Sequence, residues 1–551
     1  MDTPSEKGMI APKTIKVSKI AVKRAMQQNQ QVSQDPVATV APRLDTPDVV
    51  PPALPKSHAD GSPPSVVSSD APIVSIEWSG ELVKDQQSNL YAVVRGVGNP
   101  HVYRLRGKEM RALVGELLRK SGERPSKRAV DDVLDGLQAK AERTAKSAGV
   151  WVRVAPLPDN GCVIALYDEA NTQVKITAAG VEVLAGGSDV LFYRPATAAP
   201  MVYPAEVGDY KLLKKYVNIS DENFILYLAF VTYTLAHAKD VGTVFVFLYL
   251  IGGQGAGKSA LTKATMRIID PSVVGVQRLP KQVKDLAVAS QSAHVLAYDN
   301  LRDLKPEMSD VMCTMSTRGA TTARRLYTDD ELHVVLLHGV LILNGIFSFV
   351  DQPDLAQRCL PIRMYSMDES KRKSEAQMWK EFEADLPVIQ RGLFDLMAKI
   401  FAALPSVVPT MPQRMYDFSQ WLATMEVVHK APKEVYQASY AEALNEGQLD
   451  SIRENVVGSA VLDFASKMKA KEWSGTPAKL LMELDKFMGY SEPDGPHAPR
   501  GWPDNPIALS KRLLPLETAL RTQDVVLRFE RRKEREITIN YTGKGAVDER
   551  Y

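Results

Sequence analysis

Residues 244–269 read VFVFLYLIGGQGAGKSALTKATMRII. The first eight are apolar without polar alternation, which predicts a strand covered on both faces. They run straight into Gly252-Gly253-Gln254-Gly255-Ala256-Gly257-Lys258-Ser259, a full match to G-x-x-x-x-G-K-[ST]. The residues after it carry helical apolar spacing, so the motif stands where its mechanism needs it, between a strand and a helix. Glycines let backbone N–H groups curl around phosphate oxygens, and the positive end of the following helix faces the same anion.

The nucleotide-contacting set therefore runs from Gly252 through Ala260, with ATP and Mg²⁺ as the expected ligands. Lys258 is expected to reach the β- and γ-phosphates, and the Ser259 hydroxyl to ligate Mg²⁺. A second strand with an acidic end should accompany such a loop. His294-Val295-Leu296-Ala297-Tyr298-Asp299-Asn300 supplies one, with Asp299 placed to hold the metal shell. A third apolar run, Val340 to Leu343, ends in Asn344, an amide suited to hold an attacking water or the γ-phosphate. The plain alternatives are a core strand with a capping aspartate and a turn asparagine.

Outward from this centre, the chain of 551 residues is long enough for two to four domains. Apolar residues make up 45% and charged residues 24%, which excludes a collagen-like or wholly disordered chain. A net charge of +2, from 68 basic and 66 acidic residues, means that any nucleic-acid surface must be local. Cys162, Cys313 and Cys359 are widely spaced, form no metal set and fit a reducing compartment. The opening segment lacks the pattern of a secretory signal. The apolar runs within 224–251 are broken by His237, Lys239 and Asp240, and each falls short of the roughly 20 residues of a spanning helix. The expectation is a soluble cytoplasmic protein with no membrane contact.

Residues 1–71, rich in proline and serine, are expected to be a disordered tail. Residues 72–205 alternate short strand-like runs with a helical stretch over 107–149, predicting a small α+β accessory domain without a catalytic constellation. Residues 206–370 alternate helix and apolar strand, predicting an α/β core with a parallel sheet. Residues 371–470 read as helical. In 473–541, helices over 476–488 and 507–522 precede a hairpin over 525–540.

The order GGQGAGKS, VLAYDN, LILNGI, DLAQRCLPI resembles the AAA+ and superfamily 3 helicase class of ring-forming P-loop NTPases. More narrowly, the chain resembles the C-terminal ATPase of primase-helicases of phages and integrating mobile elements. RRLYTDDEL, PQRMYDFSQW and the tail WSGTPAKLL…GWPDNPIALSKRL extend the likeness over about 145–541. The resemblance implies a homo-oligomer, expected to be hexameric, that hydrolyses ATP and moves along single-stranded DNA, with duplex origin DNA as a further partner. It makes Asn344 the sensor asparagine and Arg358 the arginine finger answering a neighbouring subunit's γ-phosphate, with Arg363 as fallback.

It further implies a loop or hairpin carrying Arg318, Arg324 and Arg325 toward DNA phosphates; contact with nucleotide or a neighbouring subunit is the alternative. The C-terminal part resembles a winged helix with Lys511, Arg512, Arg531 and Arg532 toward DNA, or else a protein-binding module. One departure stands out. The common pattern has glutamate after the strand aspartate, and this chain has Asn300, so water activation is slow or aided by Asp303 or Glu307. That departure motivates a second reading, a nucleotide-gated DNA-binding switch or initiator. A small-molecule kinase is a weaker third.

Overall fold

The computed structural model of the chain describes residues 78–542, except 97, 303, 325–331, 346–348, 351, 366–373, 469–471, 493–494 and 532–534. The expected tail lies outside them.

The accessory region holds two four-stranded sheets and a small parallel pair, Val150–Trp151 with Leu191–Phe192. Strands β1 (Glu81–Lys84), β2 (Leu90–Val94) and β3 (His101–Arg104) form an antiparallel meander. Helices α1 (Lys108–Lys120) and α2 (Lys127–Thr144) cover it, burying Met110, Val114, Leu118, Val130 and Leu134 against Leu82 and Ala92. Ser126 starts α2 by accepting a hydrogen bond from the Ala129 N–H. The second sheet is β4 (Val154–Leu157), β5 (Gly161–Ala165), β6 (Gln173–Thr177) and β7 (Gly180–Leu184), antiparallel in that order.

This second sheet is not a separate module. Val154, Cys162, Ile164, Val174 and Ile176 belong to the same buried cluster as the central α/β core. The expected boundary at 205 therefore runs through continuous packing, because one face of this sheet is apolar and the helices Asp221–Ala236 and Glu375–Ala403 supply its cover.

In the core, α3 (Asp221–Ala236) is capped by the Ser220 hydroxyl and buried on nearly every side. A helix apolar all round belongs in a protein interior, and no helix among the described residues is long and apolar enough to cross a membrane. Then follow β8 (Phe247–Gly252), α4 (Lys258–Ile269), α5 (Val283–Gln291), β9 (Val295–Leu301) and α6 (Pro306–Ser316). A hairpin, β10 (Gly319–Arg324) with β11 (Leu332–Leu337), leads to β12 (Val340–Gly345), α7 (Pro353–Ala356) and β13 (Cys359–Met364). The sheet order is β9-β12-β8-β13, with every pairing parallel. Gln277 adds a single parallel bridge beyond β9, to Tyr298.

Helices α8 (Glu375–Ala403), α9 (Tyr416–His429) and α10 (Val435–Glu454) complete the large cluster. Buried Glu426 accepts the Glu434, Tyr436 and Gln437 N–H groups and so caps α10 from α9.

The C-terminal part runs α11 (Val456–Lys467), β14 (Glu472–Gly475), α12 (Pro477–Phe487), α13 (Pro506–Leu513), α14 (Glu517–Thr522), β15 (Val525–Arg531) and β16 (Arg535–Tyr541), with sheet order β14-β16-β15. Val457, Ala460 and Val461 of α11 bury with Leu480, Leu509, Leu520 and Ile537, so this unit begins near 456 rather than 473. The single helix expected over 507–522 is two helices joined by a tight turn at Leu514–Leu516. Pro515 sits in that turn, where it has no N–H to offer a continuous helix.

Between accessory region and core sits one buried ion pair. Arg153, fully buried, donates from Nε to Asp270 Oδ1 at 2.8 Å. Its Nη groups reach the carbonyls of Ala165, Ala199 and Pro271, and its guanidinium lies 4.3 Å from the Tyr167 ring centre. Asp270 closes α4, and its other oxygen accepts from the His294 and Val295 N–H groups at the start of β9. One carboxylate thus ties the accessory region, the end of α4 and the start of β9.

Candidate nucleotide site

The loop after β8 has the backbone that its glycines were expected to allow. Gly252, Gly255 and Gly257 have φ of 159°, 79° and 87°. A Cβ at Gly252 would stand 2.4 Å from the Met364 carbonyl oxygen, and Gly257 caps α4 in a left-handed conformation. These positions need glycine for opposite reasons, close approach at one and dihedral freedom at the other.

Strand register gathers the remaining residues. Leu250 pairs with Asn344 and Tyr298 with Leu343, so Gly252, Asp299 and Asn344 all stand at the carboxyl ends of three adjacent parallel strands. Ligand crevices of open α/β sheets lie there. Ser259 Oγ donates to Asp299 Oδ2 at 2.7 Å, bringing the expected metal-holding pair into contact. Lys258 Nζ donates to the Gly252 and Gly253 carbonyls at 2.6 and 2.8 Å. Burial pulls its pKa below the usual lysine range, against the opposing charge of Asp299. Asn344 is buried; its Nδ2 lies 3.5 Å from Thr262 Oγ1, and its Oδ1 has no partner. Gln254, Ala256 and Ala260 belong to the same loop and first helical turn.

The residues fit ATP with Mg²⁺. No group of three metal-ligating side chains exists among the described residues. A hydroxyl and a carboxylate in contact are what Mg²⁺ uses when phosphate and water fill its remaining positions. The orphaned Asn344 oxygen is a buried acceptor left free among the same strand ends.

Asn300 has a backbone reason. It sits at φ 60°, at the irregularity that shifts the β9–β12 register, with its N–H donating to Asp299 Oδ1. Asparagine adopts this left-handed region at lower cost than glutamate. Asn300→Glu is expected to lower stability by about 1–2 kcal/mol, read as a lower thermal midpoint, while Asn300→Gly stays near wild type. Glu307 is exposed nearby, and Asp303 lies outside the described residues.

Arg358 is placed differently from a projecting cation. It is buried, and Nη1 contacts the Asp354 carboxylate at 2.7 Å and the Asp354 carbonyl at 2.8 Å. Arg414 holds the other Asp354 oxygen at 2.7 Å. Burial would raise the Asp354 pKa, but hydrogen bonds from Arg358 and Cys313 and the arginine charges outweigh it and hold the carboxyl below its usual range. Arg358 precedes Cys359, which pairs with Phe247 at the far end of β8. Five residues of strand put it about 17 Å from the loop of its own chain. Arg363 pairs with Ile251 at the loop end and is held by Asp450 at 2.5 Å.

Among the residues expected to face DNA, Arg318 turns inward. It donates to Gln86 of the accessory region at 3.0 Å. Arg324 closes β10 and Arg531 closes β15; Arg325 and Arg532 lie outside the described residues. Lys511 and Arg512 are exposed on α13, with Arg512 also donating to the Gly501 carbonyl.

Two features escaped the sequence reading. Asn218 Nδ2 donates to the Tyr365 carbonyl at 2.7 Å and lies 3.4 Å from the Ala256 carbonyl, joining the loop to the end of β13. A cleft of about 520 Å³ opens beside Asp299 and Asn300, lined by exposed Arg278, Lys281, Arg302 and Lys305. Among the described residues none of the four forms an ion pair. Only their number, in two short segments, was available as a signal.

Residues 211–447 match the family described as actinomycete integrative conjugative element replication protein, and residues 457–548 match the AICE RepA C-terminal domain. Together the two matches span more than half of the chain. The chain belongs to this family of mobile-element replication proteins. The second match begins where α11 begins to pack into the C-terminal cluster. No curated protein matches the chain. Among solved structures, an A-form apo structure of the NrS-1 C-terminal region covers 84% of this chain and 96% of that one, at 11% identity and TM-score 0.36. An apo structure of the same region gives 12% identity and TM-score 0.34 at the same coverage.

Proposed function

We propose that this replication protein is an ATP-hydrolysing motor of the AAA+/superfamily 3 type, acting on single-stranded DNA as a ring. The observation that carries the reading is the meeting of the 252–259 loop, the Ser259–Asp299 contact and Asn344 at three adjacent strand ends. Lys258 would neutralise charge on the terminal phosphates, Ser259 and Asp299 would hold Mg²⁺, and Asn344 Oδ1 would accept a hydrogen bond from the attacking water and so orient it. Phosphoryl transfer depends more on such positioning and charge neutralisation than on a strong base. The distance of Arg358 from its own loop supports an assembly in which a neighbouring copy completes the site. The helix–strand–three-helix–hairpin order of the C-terminal unit supports a winged helix.

A second reading, a nucleotide-gated switch with slow turnover, is favoured by Asn300, since an amide cannot take the proton of water. Steady-state turnover separates the two: a motor cycles many times per minute on DNA, a switch barely cycles.

For the DNA partner, the unpaired cations of the cleft beside Asp299 are the best-placed phosphate contacts. Each phosphate contact on single-stranded nucleic acid adds about 0.7 to the salt slope. Arg302→Ala with Lys305→Ala is therefore expected to flatten the slope of log affinity against log salt by about 1.4, measured by fluorescence anisotropy on an oligonucleotide. An unchanged slope would remove the cleft from the DNA path.

A further inference from the structure

Arg318 turns toward the accessory region. It stands at φ 56° at the foot of the β10–β11 hairpin, with Nη2 on Gln86 and Nη1 buried without a partner. It lines a cavity of about 90 Å³ between the β1–β2 turn and the core, together with Asp85, Arg104, Trp151, Lys239 and His338. A space of this size admits a small tetrahedral oxyanion.

The charges around it do not balance. Arg104, Lys239 and Arg318 are three cations, and among the described residues none forms an ion pair. Lys239 Nζ reaches only the Ser290 and Ala293 carbonyls, at 2.8 and 2.7 Å. Arg104 donates to the neutral Asn89 amide at 2.7 Å. The one carboxylate, Asp85, is used up by its own turn. Its Oδ1 accepts from the Gln87 and Asn89 N–H groups, and its Oδ2 from Asn89 Nδ2 and Tyr91 OH. Buried or half-buried cations without an ion-pair partner are costly, and an anion is the natural completion.

His338 narrows the anion. The ring is buried, and Nε2 lies 3.0 Å from the Thr243 carbonyl oxygen, which can only accept, so Nε2 carries the hydrogen. Nδ1 is then a bare lone pair, and it is buried without a partner. Burial, with Lys239 and Arg318 close by, pushes the His338 pKa down to about 3, so the ring stays neutral. The cavity therefore offers cationic donors and one acceptor. Phosphate near neutral pH matches this set, because it carries both P–O⁻ acceptors and a P–OH donor. Sulfate has the charge and lacks the donor.

We propose that this cavity is a phosphate site, in which Arg318 and Lys239 donate to phosphate oxygens and His338 Nδ1 accepts from P–OH. Phosphate held there joins the foot of the hairpin to the β1–β2 turn of the accessory region. The source is inorganic phosphate or the terminal monoester of a larger molecule, and the chemistry recognised is the same.

The test is calorimetric titration of the full Lys258→Ala chain, which removes the loop lysine as a rival phosphate ligand. Inorganic phosphate, a nucleoside monophosphate and sulfate are titrated at matched ionic strength. One phosphate per chain is expected, with sulfate and the added Arg318→Gln change each weakening binding about tenfold or more. Arg104→Gln, on the other wall, serves as a second variant should Arg318→Gln fold poorly, and the same loss is expected. Uptake of the monophosphate with the same dependence on Arg318 assigns the monoester as a source, and its exclusion assigns free phosphate. No saturable phosphate uptake, equal affinity for sulfate, or binding indifferent to Arg318 and Arg104 overturns the proposal and leaves a water-filled cavity.

Discussion

Lys258→Ala is expected to lower steady-state ATP hydrolysis by about a hundredfold to a thousandfold, the range for losing one preorganised charge donor at a reacting centre. The lysine already points at the loop, holding the Gly252 and Gly253 carbonyls, and its burial beside Asp299 makes its charge count for more than on an open surface. The fold should survive, because Thr262 and the following turns keep α4 intact without the ammonium. Phosphate release from Mg·ATP, with thermal unfolding as control, checks both halves. Retained hydrolysis at the wild-type rate would detach the loop from the chemistry.

Arg153→Met is expected to cost about 3–5 kcal/mol of stability, the penalty for breaking a buried pair and leaving its partner charged. Asp270 would keep only the His294 and Val295 N–H groups, and the carbonyls of Ala165, Ala199 and Pro271 would lose their donor. Differential scanning calorimetry should show a fall of several degrees in the midpoint. Adding Asp270→Asn should recover part of it, because the uncompensated charge is then gone. A midpoint within one degree of wild type would mean that the accessory region is not anchored there.

The legibility of these features in the sequence follows the range of the interactions. The 252–259 loop, its flanking strand and helix, and the acidic end of β9 are local patterns, and α4 spans the expected 258–269. Asn344 was readable because a polar residue leaving an apolar run marks a strand end. The joint of Arg153 with Asp270, 117 residues apart, was not readable, since nothing nearby distinguishes that arginine from a surface one. Arg318 was expected to face DNA because the family resemblance implied it. Its partner Gln86 lies 232 residues away, and only the folded chain shows that it faces inward. The same holds for α11, whose apolar face is as compatible with the preceding helices as with the C-terminal cluster it joins. Asn300 looked like a weakened catalytic position, and the backbone dihedral supplies a local cause that no residue pattern carries.

The central claim is that the loop at 252–259 turns over ATP under Asp299 and Asn344. Its most direct measurement is inorganic phosphate released from ATP by the full wild-type chain, with Mg²⁺ and single-stranded oligonucleotide, across a range of protein concentrations. The account predicts Mg²⁺-dependent turnover that DNA stimulates and whose rate per chain rises with concentration as neighbouring copies complete the site. No phosphate release at any concentration, with or without DNA, would contradict it.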